Sequence, residues 1–235
     1  MMTLAEFKSM VSLSKNEICR EIFLENAQTI KVKKEERVIH NLGRIFDATL
    51  AISNKKGFHA MSLRDLSENA GLSMGALYSY FASKDELLSM IQEQGRRITR
   101  RVLEQQIRPD LAPMQKLKAG IIAHLYLSEI MQPWFYFSFM EAKNLEKKQQ
   151  KDAIASELMT EQVYAAILRE GQRAGDFAPT DPDMTAAIIK AMLQEWYVKR
   201  WKYRSRQIDV EQYAGFVLNW VEAFVRPANR PVETK

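Results

Sequence analysis

Residues 72–88 read LSMGALYSYFASKDELL. Two serines, Ser73 and Ser83, each precede a run able to form a helix, and each can accept a hydrogen bond from a free N–H of that helix's first turn. Ser83 and Glu86 make the S-x-x-E spacing of a capping box. Between the two caps stands only MGALYSYF, residues 74–81, with two tyrosines and a phenylalanine. A helix of about two turns is marginal alone in water, so neighbours must hold this one. The preceding residues supply the first neighbour. Ser62 stands ahead of LRDLSENA with Asp65 three residues on, and Gly71 ends that run where a left-handed residue is favoured. Helix 62–70, turn 71–73 and helix 74–80 have the proportions of a helix-turn-helix.

Leu63, Leu66 and Ala70 on the first helix, Leu72 in the turn, and Leu77 and Phe81 on the second can share one small core. Ile45, Ala48, Ile52 and Phe58 complete it. With the apolar side so committed, the other face of 73–80 projects Met74, Gly75, Tyr78 and Ser79. Such a helix fits the major groove of DNA, about 12 Å wide. Gly75 and Ala76 carry little side chain, so the backbone can approach closely. Helix N-termini and the hydroxyls of serine and tyrosine suit phosphate oxygens, and Met74 suits apolar contact such as a thymine methyl. The expected DNA contacts are Ser62, Ser73, Met74, Gly75, Ala76, Tyr78, Ser79, Tyr80 and Lys84. Phe81 is read as core, and Tyr80 is open to either use.

The remaining chain reads as helix throughout. Apolar spacing and stop signals place helices near 83–108, 113–131, 133–148, 150–174, 182–204 and 207–225, with Gly175, Asp176 and Pro179 separating the fourth from the fifth. A helix runs through RVIHNLGRIFDATLAI towards Gly57, and an amphipathic run covers KNEICREIFLENAQTI. The fold class is therefore all-α. Of 235 residues, 46% are apolar and 27% charged, with a net charge of +5. This balance permits nucleic-acid binding without requiring it. The lone Cys19 excludes an internal disulfide framework and fits a cytoplasmic location. Scattered histidines give no metal site, and no cofactor is implied. The most lipid-like stretch, residues 120–140, contains His124, Glu129 and Pro133, so no membrane span is expected. Neither a paired acid/base set, a phosphate loop nor an activated nucleophile is present, which argues against an enzyme.

The segment IFDATLAISNKKGFHAMSLRDLSENAGLSMGALYSYFASKDELL, residues 45–88, resembles the DNA-binding domain of TetR/AcrR-family transcriptional regulators. The matching features are Gly57–Phe58, Ser62, Ala70–Gly71, Ser73, Gly75 and the run Leu77-Tyr78-x-Tyr80-Phe81-x-x-Lys84. The resemblance implies phosphate contacts at Tyr78 and Lys84, with Met74, Gly75 and Ser79 near base edges. Three positions depart from the family's pattern: Ser67 stands for the usual alanine, Ala76 for threonine or serine, and Met74 for lysine. The extension before the domain is also longer than usual.

The implied layout is an N-terminal helical extension over 1–38 and a DNA-binding domain over 39–95, with the helix-turn-helix at 62–81. A helical effector-binding and dimerisation domain follows over 96–235. His124, Trp134, Phe135, Tyr164 and Trp196 are the expected surroundings of a largely apolar or aromatic effector. Ile188, Met192, Val217, Trp220, Val221 and Phe224 are the expected dimer residues, on two helices that pair with their copies. The expected function is a homodimeric repressor released by its effector from an inverted-repeat, double-stranded operator. The alternative is a helical ligand sensor acting through protein partners, with weak or non-specific DNA binding. The basic run KRWKYRSR, 199–206, either complements a helix C-terminus or meets an anionic ligand.

Overall fold

The computed structural model describes residues 2–11, 14–145, 147–178 and 180–227, without the side chains of Lys148 and Gln149; Pro179 lies outside these. Among the described residues there are helices and no strand: α1 (Leu4–Met10), α2 (Lys15–Glu25), α3 (Glu35–Lys56), α4 (Leu63–Ala70), α5 (Met74–Leu77) and α6 (Lys84–Gln106). After these come α7 (Pro113–Ile130), α8 (Gln132–Glu141), a 3-10 turn at Ala142–Asn144, α9 (Lys147–Arg173), α10 (Pro182–Val198), α11 (Arg200–Ser205) and α12 (Val210–Val225). None of these helices is long and apolar enough to cross a membrane.

The chain divides into two compact units, one formed by Val11–Ile98 with Met131–Ile154, the other by Met1–Met10, Thr99–Ile130 and Ala155–Lys235. The first is built around α3. Glu35 and Glu36 open this helix and Lys55 and Lys56 close it, each complementing the dipole end beside it. Its inner face buries Val38, Leu42, Ile45, Phe46 and Ile52. The extension is ordered against it: α2, opened by a Ser14–Glu17 capping box, buries Ile18, Cys19 and Ile22. On another side, α8 sets Phe137 edge-on to Phe58 at 5.8 Å. Glu141 turns inward to accept from the Phe58 N–H at 2.9 Å and from Asn144. The helix expected over 133–148 ends at Glu141 because the backbone there tightens into the 3-10 turn Ala142–Asn144 and leaves it extended at Leu145.

In the second unit α7 is buried nearly all round, with Leu117, Ile121, Leu125, Tyr126 and Leu127 enclosed, as a central bundle helix should be. Against it pack α1, α10 and α12. The α1 contact was not legible in the sequence. Phe7 is fully buried edge-on to Tyr126, whose hydroxyl donates to the Met2 carbonyl at 2.9 Å. Trp196, Tyr203 and Tyr213 form an aromatic triangle with centroid separations of 5.3, 5.1 and 4.7 Å. The helix expected over 182–204 breaks at Lys199. The break aims Tyr203 back onto Trp196 while Glu195 gathers Lys199 and Lys202.

His124 lies wholly inside this unit. Burial, then the nearby Lys190 charge, hold its imidazole well below the ordinary value of 6.5. The unfolded chain binds a proton near 6.5 that the folded chain refuses, so stability is full above that pH and falls below it. The expected slope is at most about 1.4 kcal/mol per pH unit. Denaturation midpoints of the protein and of His124→Phe between about pH 7 and 5 check this: the slope should be smaller in the variant.

Candidate nucleic-acid interface

The helix-turn-helix is assembled by local hydrogen bonds. Ser62 Oγ accepts from the Asp65 N–H at 3.1 Å, and Asp65 accepts from both the Ser62 N–H and Oγ at 2.7 Å. Lys56 joins the same carboxylate at 2.9 Å, and these partners hold Asp65 far below the usual carboxylate range. Gly71 ends α4 at φ 60°, the left-handed conformation that glycine adopts without strain, and its carbonyl accepts from Arg44 at 2.9 Å. Ser73 caps α5 by accepting from the Ala76 N–H at 3.2 Å.

Leu66, Ala70, Leu77 and Phe81 are buried with Ile45, Ala48, Ile52 and Phe58, while Leu63 and Leu72 are half-buried. Outward of this core stand Ser73, Gly75 and Tyr78, all exposed, with Met74, Ala76 and Ser79 half-exposed. No atom lies within 4 Å of where a Cβ on Gly75 would sit. Ser79 Oγ donates to the Gly75 carbonyl at 3.1 Å. The regular helix is shorter than expected, Met74–Leu77, because Tyr80 N–H turns back onto the Leu77 carbonyl in a tighter turn.

Two of the expected contacts have partners inside the protein. Tyr80 is 1% exposed, and its hydroxyl accepts from Asn41 Nδ2 at 2.7 Å. It pins the reading segment to α3 and does not reach outward. Lys84 Nζ donates to the carbonyls of Phe58, Met61 and His59 at 2.9, 2.6 and 3.2 Å, and lies over the Phe58 ring. An ammonium has three protons, and here all three hold the loop before α4. Burial lowers its pKa. Asn41 and Arg44, which lock α3 to this motif, were missed. Asn41 had a signal, a polar residue within the apolar face of α3, whereas nothing local marked Arg44.

The residues expected around an effector fall in different units. Trp134 belongs with α3 and α6: its indole donates to the Ile91 carbonyl at 2.9 Å and meets Phe46 edge-on at 6.0 Å. Phe135, beside it, is half-buried. His124, Tyr164 and Trp196 are interior to the other unit. Tyr164 donates to the Gly120 carbonyl at 3.1 Å, and Trp196 donates to Glu129 at 3.1 Å beneath Arg200. The basic run 199–206 finds partners in its own chain, with Arg200 on Glu129 and both Lys199 and Lys202 on Glu195.

Among the expected dimer residues, Val217 and Val221 are core of their own chain. Met192 is half-buried, its carbonyl accepting from Tyr213 at 2.7 Å. Ile188, Trp220 and Phe224 are exposed, in line with Met184 and with Phe216, which is 70% exposed. Trp220 and Phe224 stack at 5.6 Å. The i, i+4, i+8 spacing of Phe216, Trp220 and Phe224 was the signal for Phe216.

A family profile described as "Bacterial regulatory proteins, tetR family" matches residues 45–91, and one described as "Tetracyclin repressor-like, C-terminal domain" matches residues 110–221. The transcriptional repressor KstR of Mycolicibacterium smegmatis is 51% identical over 45 residues, 19% of this chain and 22% of KstR. The transcriptional regulator PksA of Bacillus subtilis is 32% identical over 103 residues, 40% of this chain and 48% of PksA. The matches thus span about half or less of these relatives' length. The crystal structure of the TetR family transcriptional regulator PfmR from Thermus thermophilus is similar at 26% identity and a TM-score of 0.70, over 78% of this chain and 100% of PfmR. With both parts of the family's architecture matched in order along one chain, the protein belongs to the TetR family of bacterial regulatory proteins.

Proposed function

We propose that this chain is a dimeric transcriptional repressor that binds an inverted-repeat operator and leaves it when a small, largely apolar or aromatic effector binds. The observation that carries the reading is the segment Ser73–Ser79. It is capped, fixed to α3 by Tyr80–Asn41 and Gly71–Arg44, and outwardly free at Gly75 and Tyr78. Gly75 is the point of closest backbone approach to the groove, Met74 and Ser79 stand beside base edges, and the Ser73 and Tyr78 hydroxyls meet phosphates. The exposed stripe Met184, Ile188, Phe216, Trp220 and Phe224 on α10 and α12 is the surface that a second copy covers. Release is linkage: an effector that prefers a conformation with badly spaced reading helices weakens DNA binding by its differential affinity. The continuous α6, from Lys84 to Gln106, is the connector.

Genomic fragments selected by the purified protein at near-physiological salt test this. Enrichment of a shared inverted repeat is the expected result, and diffuse, strongly salt-dependent retention defeats it. On that repeat, Tyr78→Phe should lower affinity about 5- to 10-fold for all sequences alike, the loss of one phosphate hydrogen bond. Met74→Ala should instead change base preference. Anisotropy titrations against single-base variants of the repeat separate the two effects, and equal losses on every variant for Met74→Ala would contradict its place at a base edge.

A further inference from the structure

The N-terminal extension reaches the reading segment. The Lys31 N–H donates to the carbonyl of Ser79 at 2.9 Å, a backbone-to-backbone bond that fixes the chain before α3 beside the end of that segment. The approach is ordered. Asn26 organises the turn after α2, its carbonyl accepting from the Ile30 N–H at 2.9 Å, and Ile30 is fully buried. Lys33 Nζ holds the same turn through the carbonyls of Ala27 and Ile30, at 3.1 and 3.3 Å. Lys31 and Lys34 are exposed.

Arg37, Asn41 and Arg44, spaced by four and three, share one face of α3, and Lys34 is the N-cap residue just ahead of it. Asn41 on that face meets Tyr80, and Arg44 meets the Gly71 carbonyl, so the face is turned to the helix-turn-helix. Arg37, at its N-terminal end, and the N-cap Lys34 are both exposed. The acids next to them fall off this face. Glu35 accepts from Arg20 at 2.7 Å, and Glu36 comes no nearer than 3.9 Å to Lys34 with its side chain 89% exposed.

We propose that Lys31, Lys34 and Arg37 form a second DNA contact, a cationic rim that takes the phosphates of one strand just beyond the end of the reading segment. The proposal rests on the DNA-binding reading above and gives the extension its purpose. The backbone bond at Ser79 ties the register of the rim to that of the reading segment. Its contribution is to affinity for any sequence, because phosphates carry no base identity.

The experiment is a titration of the full chain against the selected inverted repeat and a scrambled duplex, at salt from about 50 to 200 mM. The variant K31A/K34A/R37A is compared with K55A, an exposed lysine at the other end of α3. The triple variant should lose about 100-fold or more in affinity on both duplexes, with the slope of log K against log salt smaller by about five, because each dimer gives up six phosphate contacts. K55A should match the unaltered protein in DNA binding, and thermal melting of both variants should move little, because all four side chains are exposed and a surface charge at a helix end has only a small effect on stability. Selective binding by the unaltered protein with an unchanged slope in the triple variant overturns the rim alone. An equal loss in K55A reduces it to net charge and overturns it too. Absence of selective binding by the unaltered protein overturns both the rim and the reading beneath it.

Discussion

Trp134→Ala lowers the stability of the chain by about 3–5 kcal/mol, the usual cost of emptying a large aromatic site in a packed interior. The indole is 9% exposed, donates to the Ile91 carbonyl and meets Phe46 edge-on. Gly95 admits it: a Cβ there would lie 3.1 Å from the indole nitrogen, tighter than an ordinary contact. Trp134→Phe keeps most of the ring volume and loses the donor, for a smaller cost of about 1–2 kcal/mol. Chemical denaturation checks both, with the slope against denaturant unchanged if only stability has moved. An effector-wall role would give the opposite pattern, near-normal stability with altered ligand affinity.

Lys84→Met is the second large effect, a loss of about 2–3 kcal/mol. The aliphatic stem survives, but the carbonyls of Phe58, His59 and Met61 lose a charged donor. Operator affinity falls as well, since those carbonyls belong to the loop that places Ser62 and α4. The salt dependence distinguishes this from a lost phosphate contact. Loss of one phosphate contact reduces the slope of log K against log salt by about one. Loss of loop support lowers affinity with the slope unchanged and the melting temperature reduced.

The helix-turn-helix was legible because its signals are local. A serine cap works on the next three residues, and a glycine stop acts through its own φ. The apolar spacing of Leu66, Ala70 and Leu77 already described one buried side. The same logic found α10 and α12, but not the Asp209 cap that starts α12 at Val210. Tyr80 and Lys84 show where it ends. A tyrosine and a lysine carry an apolar body and a polar tip, so the residues themselves suit either an interior or a phosphate. Asn41, thirty-nine positions from Tyr80, decided one case. Three loop carbonyls more than twenty positions before Lys84 hold the other.

By itself, the sequence determined the all-α class, the helix-turn-helix and its outward face at Met74, Gly75, Tyr78 and Ser79. It also determined the two apolar stripes of α10 and α12. Each of these follows from periodicity and capping, which act within a few residues. Only the tertiary structure decided which face of a doubly apolar helix is core. Val217 and Val221 turn inward, while Phe216, Trp220 and Phe224 turn out. Only the tertiary structure put Trp134 beneath α6, and it alone brought Lys31 to Ser79. The physical reason is the same throughout. An amphipathic residue has nearly equal uses in core and surface, and the choice between them rests with partners that chain folding brings in from far along the sequence.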